Sequence, residues 1–174
     1  MSDFDRRVHS RGWDGTFHTT SISINGNIEV DKGDLIFQDR VDGLREQGSS
    51  TSTWYGFPFS KISGSTITLA SNRALAKQNF LGVAAWHSDS GVTENIAVYI
   101  SGFFNYPIKS SRTVKTGNMI IPAGSGTTLY SQKIAVVTSS VTDRIGIAGE
   151  TGTFKSSVKF SISTLIKPFS STVY

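Results

Sequence analysis

A pattern of glycines and apolar residues that occurs twice constrains this chain more than any single residue does. One copy runs from Gly33-Asp34-Leu35-Ile36 through Leu81-Gly82-Val83-Ala84 to Ile96-Ala97-Val98-Tyr99-Ile100. The other runs from Gly117-Asn118-Met119-Ile120 through Ile145-Gly146-Ile147-Ala148 to Val158-Lys159-Phe160-Ser161-Ile162. Each reads Gly-polar-apolar-apolar, then apolar-Gly-apolar-Ala, then a Gly-containing turn and a strand of period two. Such repetition implies one supersecondary unit used twice, each copy burying its apolar face against the other. The first copy carries about 20 extra residues between its first two elements, where repeats place insertions.

The rest of the chain points to strands. Ser and Thr make up about a quarter of it, charged residues only 17%, and there are 17 Gly, the balance of an all-β protein with many turns. With 174 residues and 37% hydrophobic content, one core and one main domain over residues 21–174 are expected. The absence of cysteine excludes disulfides, thiolate metal sites and a cysteine nucleophile. No apolar run approaches the roughly 18 residues that span a bilayer, so no membrane partner is expected.

Residues 1–20 mix charges with isolated aromatics and read as an extended N-terminal arm. Residues 21–30 alternate around Asn25-Gly26-Asn27, as a hairpin would. An insertion at about residues 40–80 begins polar and continues with Trp54-Tyr55-Gly56-Phe57-Pro58-Phe59, either an exposed contact patch or an inward plug. Residues 65–69 alternate, and residues 72–78 hold the helix formers. Further strands are expected at 34–39, 81–86, 94–104, 114–121, 127–130, 134–137, 144–148 and 156–165. Around ten short strands with almost no helix predict a compact antiparallel barrel or sandwich built from a loosely duplicated β-unit.

Charge is divided between the halves. Residues 1–50 hold six Lys/Arg against nine Asp/Glu, and the remainder eleven against four, so a −3 segment precedes a +7 body. A basic body favours an acidic partner surface.

The sequence offers no catalytic constellation. His9, His18 and His87 lack metal-ligand spacing, so no metal site is expected. Asp34, Asp39 and Asp42 form the nearest approach to a carboxylate cluster, but strand alternation puts Asp34 and Asp39 on opposite faces. Gly124-Ser125-Gly126-Thr127-Thr128 lacks the Lys of a phosphate-binding loop and reads as a hairpin turn. Neither an enzyme nor a cofactor is expected.

The repeated elements, with Leu81-Gly82-Val83-Ala84-Ala85-Trp86, Ile96 to Phe104 and Lys115-Thr116-Gly117-Asn118, resemble the head-decoration or capsid-cement proteins of tailed bacteriophages over residues 30–165. The insertion and the charged arm depart from that pattern. The resemblance implies a β-tulip-like body on the exterior of the virion, made in the host cytoplasm. It also implies a homotrimer that binds the major capsid protein and locks coat subunits together. Under it, Arg6, Arg7 and Arg11 pair with coat carboxylates, Trp13 and Phe17 fill apolar pockets, and Phe169 and Tyr174 give a C-terminal contact. Trp54, Tyr55, Phe57 and Phe59 are the candidate oligomer or ligand patch.

The alternative is a carbohydrate- or receptor-binding module of a virion or tail fibre, with Trp54, Tyr55, Phe57 and Trp86 stacking on sugars. Nucleic acid is not expected as a partner, since Val158-Lys159-Phe160 is the sole interleaving of a basic residue with aromatics.

Overall fold

The computed structural model describes residues 18–39, 54–62 and 68–162, together with Thr164. Ten strands close two five-stranded barrels. The first contains β1 (Thr19–Ile24), β2 (Leu35–Asp39), β3 (Tyr55–Pro58), β4 (Phe80–Ala84) and β5 (Glu94–Tyr99), in the order β1-β3-β2-β4-β5. The second contains β6 (Phe103–Val114), β7 (Met119–Ser125), β8 (Thr128–Val137), β9 (Gly146–Ala148) and β10 (Gly152–Ile162), in the order β10-β6-β8-β7-β9. Adding five to each strand number converts one barrel into the other. The pairs β1–β3 and β6–β8 are parallel and every other pair is antiparallel. The all-β duplicated architecture is therefore as expected, with one parallel pair per unit. Closure leaves neither unit an open sheet edge.

The sequence repeat survives at the level of single hydrogen bonds. Leu35 faces Val83 and Ile36 faces Gly82, just as Met119 faces Ile147 and Ile120 faces Gly146. Val98 and Tyr99 face Ala84 and Val83; Phe160 and Ser161 face Ala148 and Ile147. The Gly33 N–H donates to the Ala84 carbonyl at 2.8 Å and the Gly117 N–H to that of Ala148 at 2.9 Å. The Asp34 and Asn118 side chains accept from the Asp31 and Lys115 N–H groups at 3.1 and 2.9 Å. Both turns need the left-handed backbone of their glycines, with φ of 92° at Gly33 and 90° at Gly117.

The second repeated glycine has a different cause. A β-carbon at Gly82 would overlap the Tyr99 carbonyl oxygen, and one at Gly146 would overlap that of Ser161. Both glycines thus let two backbones approach where the barrel closes.

Several local expectations differ from the fold. Residues 21–30 do not form a hairpin: Ile22 pairs with Ile96 on β5, and Val30 bridges to Ser88. The longer-range pairing closes a barrel, whereas a local hairpin leaves both edges open. Thr19 and Thr20, expected in the arm, belong to β1, and residues 1–17 lie outside the described residues. Residues 94–104 split into two strands at Ser101 and Gly102, where the chain passes between barrels. Residues 127–130 and 134–137 run on as the single strand β8.

The expected insertion contains β3, a member of the repeat, followed by a 3-10 turn (Phe59–Lys61) and the helix α1 (Leu69–Gln78). Leu69 opens α1 behind a Thr68 cap that accepts from the Ser71 N–H, so it does not end a strand; residues 63–67 lie outside the described residues. The helix packs on β7 and β8, with Arg73 Nε donating to the Pro122 carbonyl at 2.9 Å and Ala76 fully buried. Gly124 leaves room for Leu69, whose Cδ1 would lie 2.6 Å from a β-carbon there.

One continuous apolar cluster spans both units, from Ile24 and Ile36 to Val158 and Phe160. Replacing Gly82 or Gly146 by Ala is expected to cost about 2–4 kcal/mol each, because backbone carbonyls must move. Gly117→Ala meets open space and carries only the left-handed penalty of about 1–2 kcal/mol. Urea unfolding of the three variants checks that order.

Candidate functional site

The two barrels meet along a seam where the Asp31–Asp34 turn of the first reaches the wall of the second. Tyr106 sits on β6 in the buried alternation Phe104, Tyr106, Ile108, and its hydroxyl donates to the Gly33 carbonyl. Burial, and secondarily the Asp34 charge, pushes the Tyr106 phenol well above its ordinary value, so it remains a donor throughout the physiological range. The Tyr99 and Phe104 rings meet at 5.8 Å, and the Ser60 N–H donates to Ser131 Oγ at 2.9 Å.

A cleft of about 500 Å³ opens at this seam, lined by Glu29, Asp31, Asp34 and Lys61 of the first unit and by Gln132 and Lys133 of β8. Asp34 is buried, and Gln132 Nε2 donates to its Oδ1 at 3.0 Å. Burial is the main cause that pushes the Asp34 carboxyl up to about 6, with the Asp31 and Glu29 charges adding to it; the Asp31 N–H and Gln132 oppose the rise. Asp39 stands at the far end of β2, so the two carboxylates do not act as a pair. Among the described residues no group of three or more His, Asp or Glu is placed to hold a metal ion. No helix among them is long and apolar enough to cross a membrane.

Large apolar side chains that the core does not use stand on the outside. Phe154 is 87% exposed, with a left-handed φ of 50° where the β6–β10 register shifts, and Trp86 is 62% exposed. The Trp86 and His87 rings stack 5.8 Å apart. A row formed by Phe103, Ser161, Ile147 and Met119 crosses the outer face of the second barrel, because the alternate set Phe104, Phe160, Ala148 and Ile120 is buried inside.

The structure divides the expected aromatic patch. Trp54 is exposed and Tyr55 half-buried, while Phe57 and Phe59 are fully buried in a cluster with Phe37 and Phe80. Those two are core residues, because β3 belongs to the barrel wall and four rings in tilted and edge-on contact supply a large apolar burial. Arg6, Arg7, Arg11, Trp13, Phe17, Phe169 and Tyr174 lie outside the described residues. Tyr106 was legible as a polar tip in a buried alternating run; Phe154 carried no signal, since nothing in its neighbours marks a left-handed backbone.

No protein-family model matches the chain. No curated protein matches it either. Among solved structures it is similar to the head fiber gp8.5 N base of bacteriophage phi29, at 14% identity over 84% of this chain and 95% of that one, with a TM-score of 0.44.

Two substitutions probe the seam. Tyr106→Phe leaves the buried Gly33 carbonyl without its donor and is expected to cost about 1–2 kcal/mol in urea unfolding. Asp34→Asn acts in the opposite direction. A carboxyl with a folded pKa raised from 3.8 to about 6 contributes stability that is fully present below the lower value and lost as pH rises through the upper one. The Asn variant lacks that loss and keeps the turn acceptor, as Asn118 does in the second unit. Its stability relative to the parent should rise from near zero at about pH 4 to about 1–3 kcal/mol at pH 8, measured by unfolding across that range.

Proposed function

We propose that this chain is a non-enzymatic structural protein of a phage virion. It binds the outer surface of the head and stabilises contacts between major coat subunits, as a homotrimer. The observation that carries this reading is that the barrel interiors are filled while the unused large apolar residues, Phe154 and Trp86 foremost, face outward. A chain arranged in this way offers surfaces to a partner, and exposed aromatic side chains act as anchors of protein interfaces. The resemblance to capsid-cement proteins supports the choice of partner, and its residues are the ones that define the two barrels. The +7 balance of residues 51–174 favours an acidic coat surface.

Such a protein acts by mass action: binding the assembled shell and not its dissociated parts lowers the free energy of the shell. Many copies on one lattice turn modest single contacts into avidity. In this reading residues 1–17, with Arg6, Arg7, Arg11, Trp13 and Phe17, reach a neighbouring coat subunit.

Trp86 stacked on His87 favours one second reading, a sugar-binding module, since an exposed indole is a platform for a pyranose ring. Co-sedimentation with undecorated phage heads separates the two. Saturable binding, weakened about tenfold or more by Phe154→Asp or by removal of residues 1–17, is expected for the structural role. Binding to a glycan array, lost in Trp86→Ala, without binding to heads would replace it with the sugar-binding reading.

A further inference from the structure

The duplication makes each barrel a template for the other, and β6 and β10 exceed their counterparts. β1 has 6 residues and β6 has 12; β5 has 6 and β10 has 11. From Thr19↔Tyr99 to Ile24↔Glu94 the first barrel pairs without a break, and the second matches it from Phe103↔Ser161 to Pro107↔Ser157. There the likeness ends. In the first barrel the chain leaves the wall after Ile24 through a turn in which the Ile28 N–H donates to the Asn25 carbonyl at 2.9 Å. In the second, β6 runs on, and its next pairing with β10 is Arg112↔Lys155, so residues 108–111 stand against Ser156 alone. An excess of this kind bends the longer strand.

The bend forms an arch. Ile108 and Val114 are buried at its two feet, and every residue from Lys109 to Thr113 between them is exposed. On its other side β6 meets β8 at the single rung Ile108↔Ile134. Beyond that rung a hollow of about 330 Å³ lies between the strands, lined by residues 108–112 of β6 and by Ala135 and Val136 of β8. Two cations are tied down around it: Lys109 Nζ donates to the Gly124 carbonyl, and an Arg112 guanidinium N–H donates to the Val136 carbonyl. Each bond uses one donor, of three on an ammonium and five on a guanidinium, and no carboxylate lines the hollow. Ser110 and Ser111 add hydroxyls, and Ile108 and Ala135 add apolar surface. Closure of the barrel does not require the arch, since the first barrel has the same single rung, Ser23↔Tyr55, without the extra length.

We infer that this hollow is a binding site for an acidic peptide segment, with one glutamate-type carboxylate held between Lys109 and Arg112. The carboxylate takes donors that the two carbonyls leave, and charge-assisted bonds of this kind are the strong ones. Its methylenes cover Ile108 and Ala135, which a bare phosphate leaves wet. The walls are two strands, which suits an extended segment. The barrel around them, residues 103–162, holds seven Lys/Arg against two Asp/Glu, so its field also draws a negative partner. The source of the segment rests on the proposed function: in that reading a coat subunit supplies it.

A fluorescein-labelled hexaglutamate peptide, titrated with the full chain at low ionic strength and followed by anisotropy, tests the site. Saturable binding that weakens as salt is added is expected. Ala135→Glu keeps both cations and places a carboxylate of the chain's own in the hollow; it should weaken binding at least about tenfold, as should Lys109→Gln combined with Arg112→Gln. Lys77→Glu, which changes net charge by as much as the double variant but on α1, should leave binding within about twofold. Equal binding by Ala135→Glu overturns the inference, as does the absence of saturable binding by the parent. Displacement of the peptide by an equal concentration of inorganic phosphate reduces the hollow to a free-ion site and overturns the peptide assignment. Co-sedimentation with undecorated heads separates this outcome from that of the proposed function. Heads that do not bind the parent overturn the function and leave the peptide titration to decide the hollow, whereas heads that bind Ala135→Glu as well as the parent overturn the coat as the source.

Discussion

The whole molecule depends on burying the rim of the first barrel. A five-stranded barrel of short strands has an interior wide enough for a few side chains, and that alone is a thin source of apolar burial. The chain gains the rest by making outer residues count. Leu35 and Val83, which alternate with the inward-facing Ile36 and Ala84, are fully buried, and the Phe37–Phe57–Phe59–Phe80 cluster extends the core beside the inserted 3-10 turn. The price is a polar turn pressed into the same contact. The Tyr106 hydroxyl, the Gln132 amide and the Asp31 N–H meet its groups, and the Asp34 carboxyl is desolvated in the process.

That arrangement explains how the two copies diverged. The Gly-polar turn is kept in both because φ near 90° and a side-chain acceptor are needed to reverse the chain before β2 and before β7. The glycine on the strand paired with it, Gly82 on β4 and Gly146 on β9, is kept because a carbonyl occupies the space of its β-carbon. Everything else was free to change with its surroundings. Leu35 and Val83 are fully buried, whereas Ile147 is exposed and Met119 half-buried. The insertion after β3 serves the partner barrel, since α1 packs on β7 and β8.

Much of this was legible in the sequence, and the parts that were not have identifiable causes. The duplication, the all-β class and the turn at Gly124-Ser125-Gly126 follow from glycine geometry and period-two alternation, which are local properties. Residues 21–30 misled for the same reason: Asn-Gly flanked by alternating apolars is a local hairpin signal, overridden here because β1 gains more from β5 across the barrel. β3 was hidden inside the apparent insertion because four aromatics in six residues mask its alternation. Phe57 and Phe59 are core and Trp54 is exposed, a distinction of burial that aromatic content alone does not encode.

A filled barrel also limits what such a molecule does. Ile36, Val98, Phe104 and Phe160 are buried in the barrel interiors, and the seam cleft is lined by carboxylates and lysines. The residues whose exposure is costly stand on the outside. Phe154 is the sharpest case, since it combines a left-handed backbone with almost complete exposure, two unfavourable features that folding alone gives no reason to keep at one position. A partner that buries the ring recovers the exposure cost, and the backbone strain then fixes the direction in which the ring is presented.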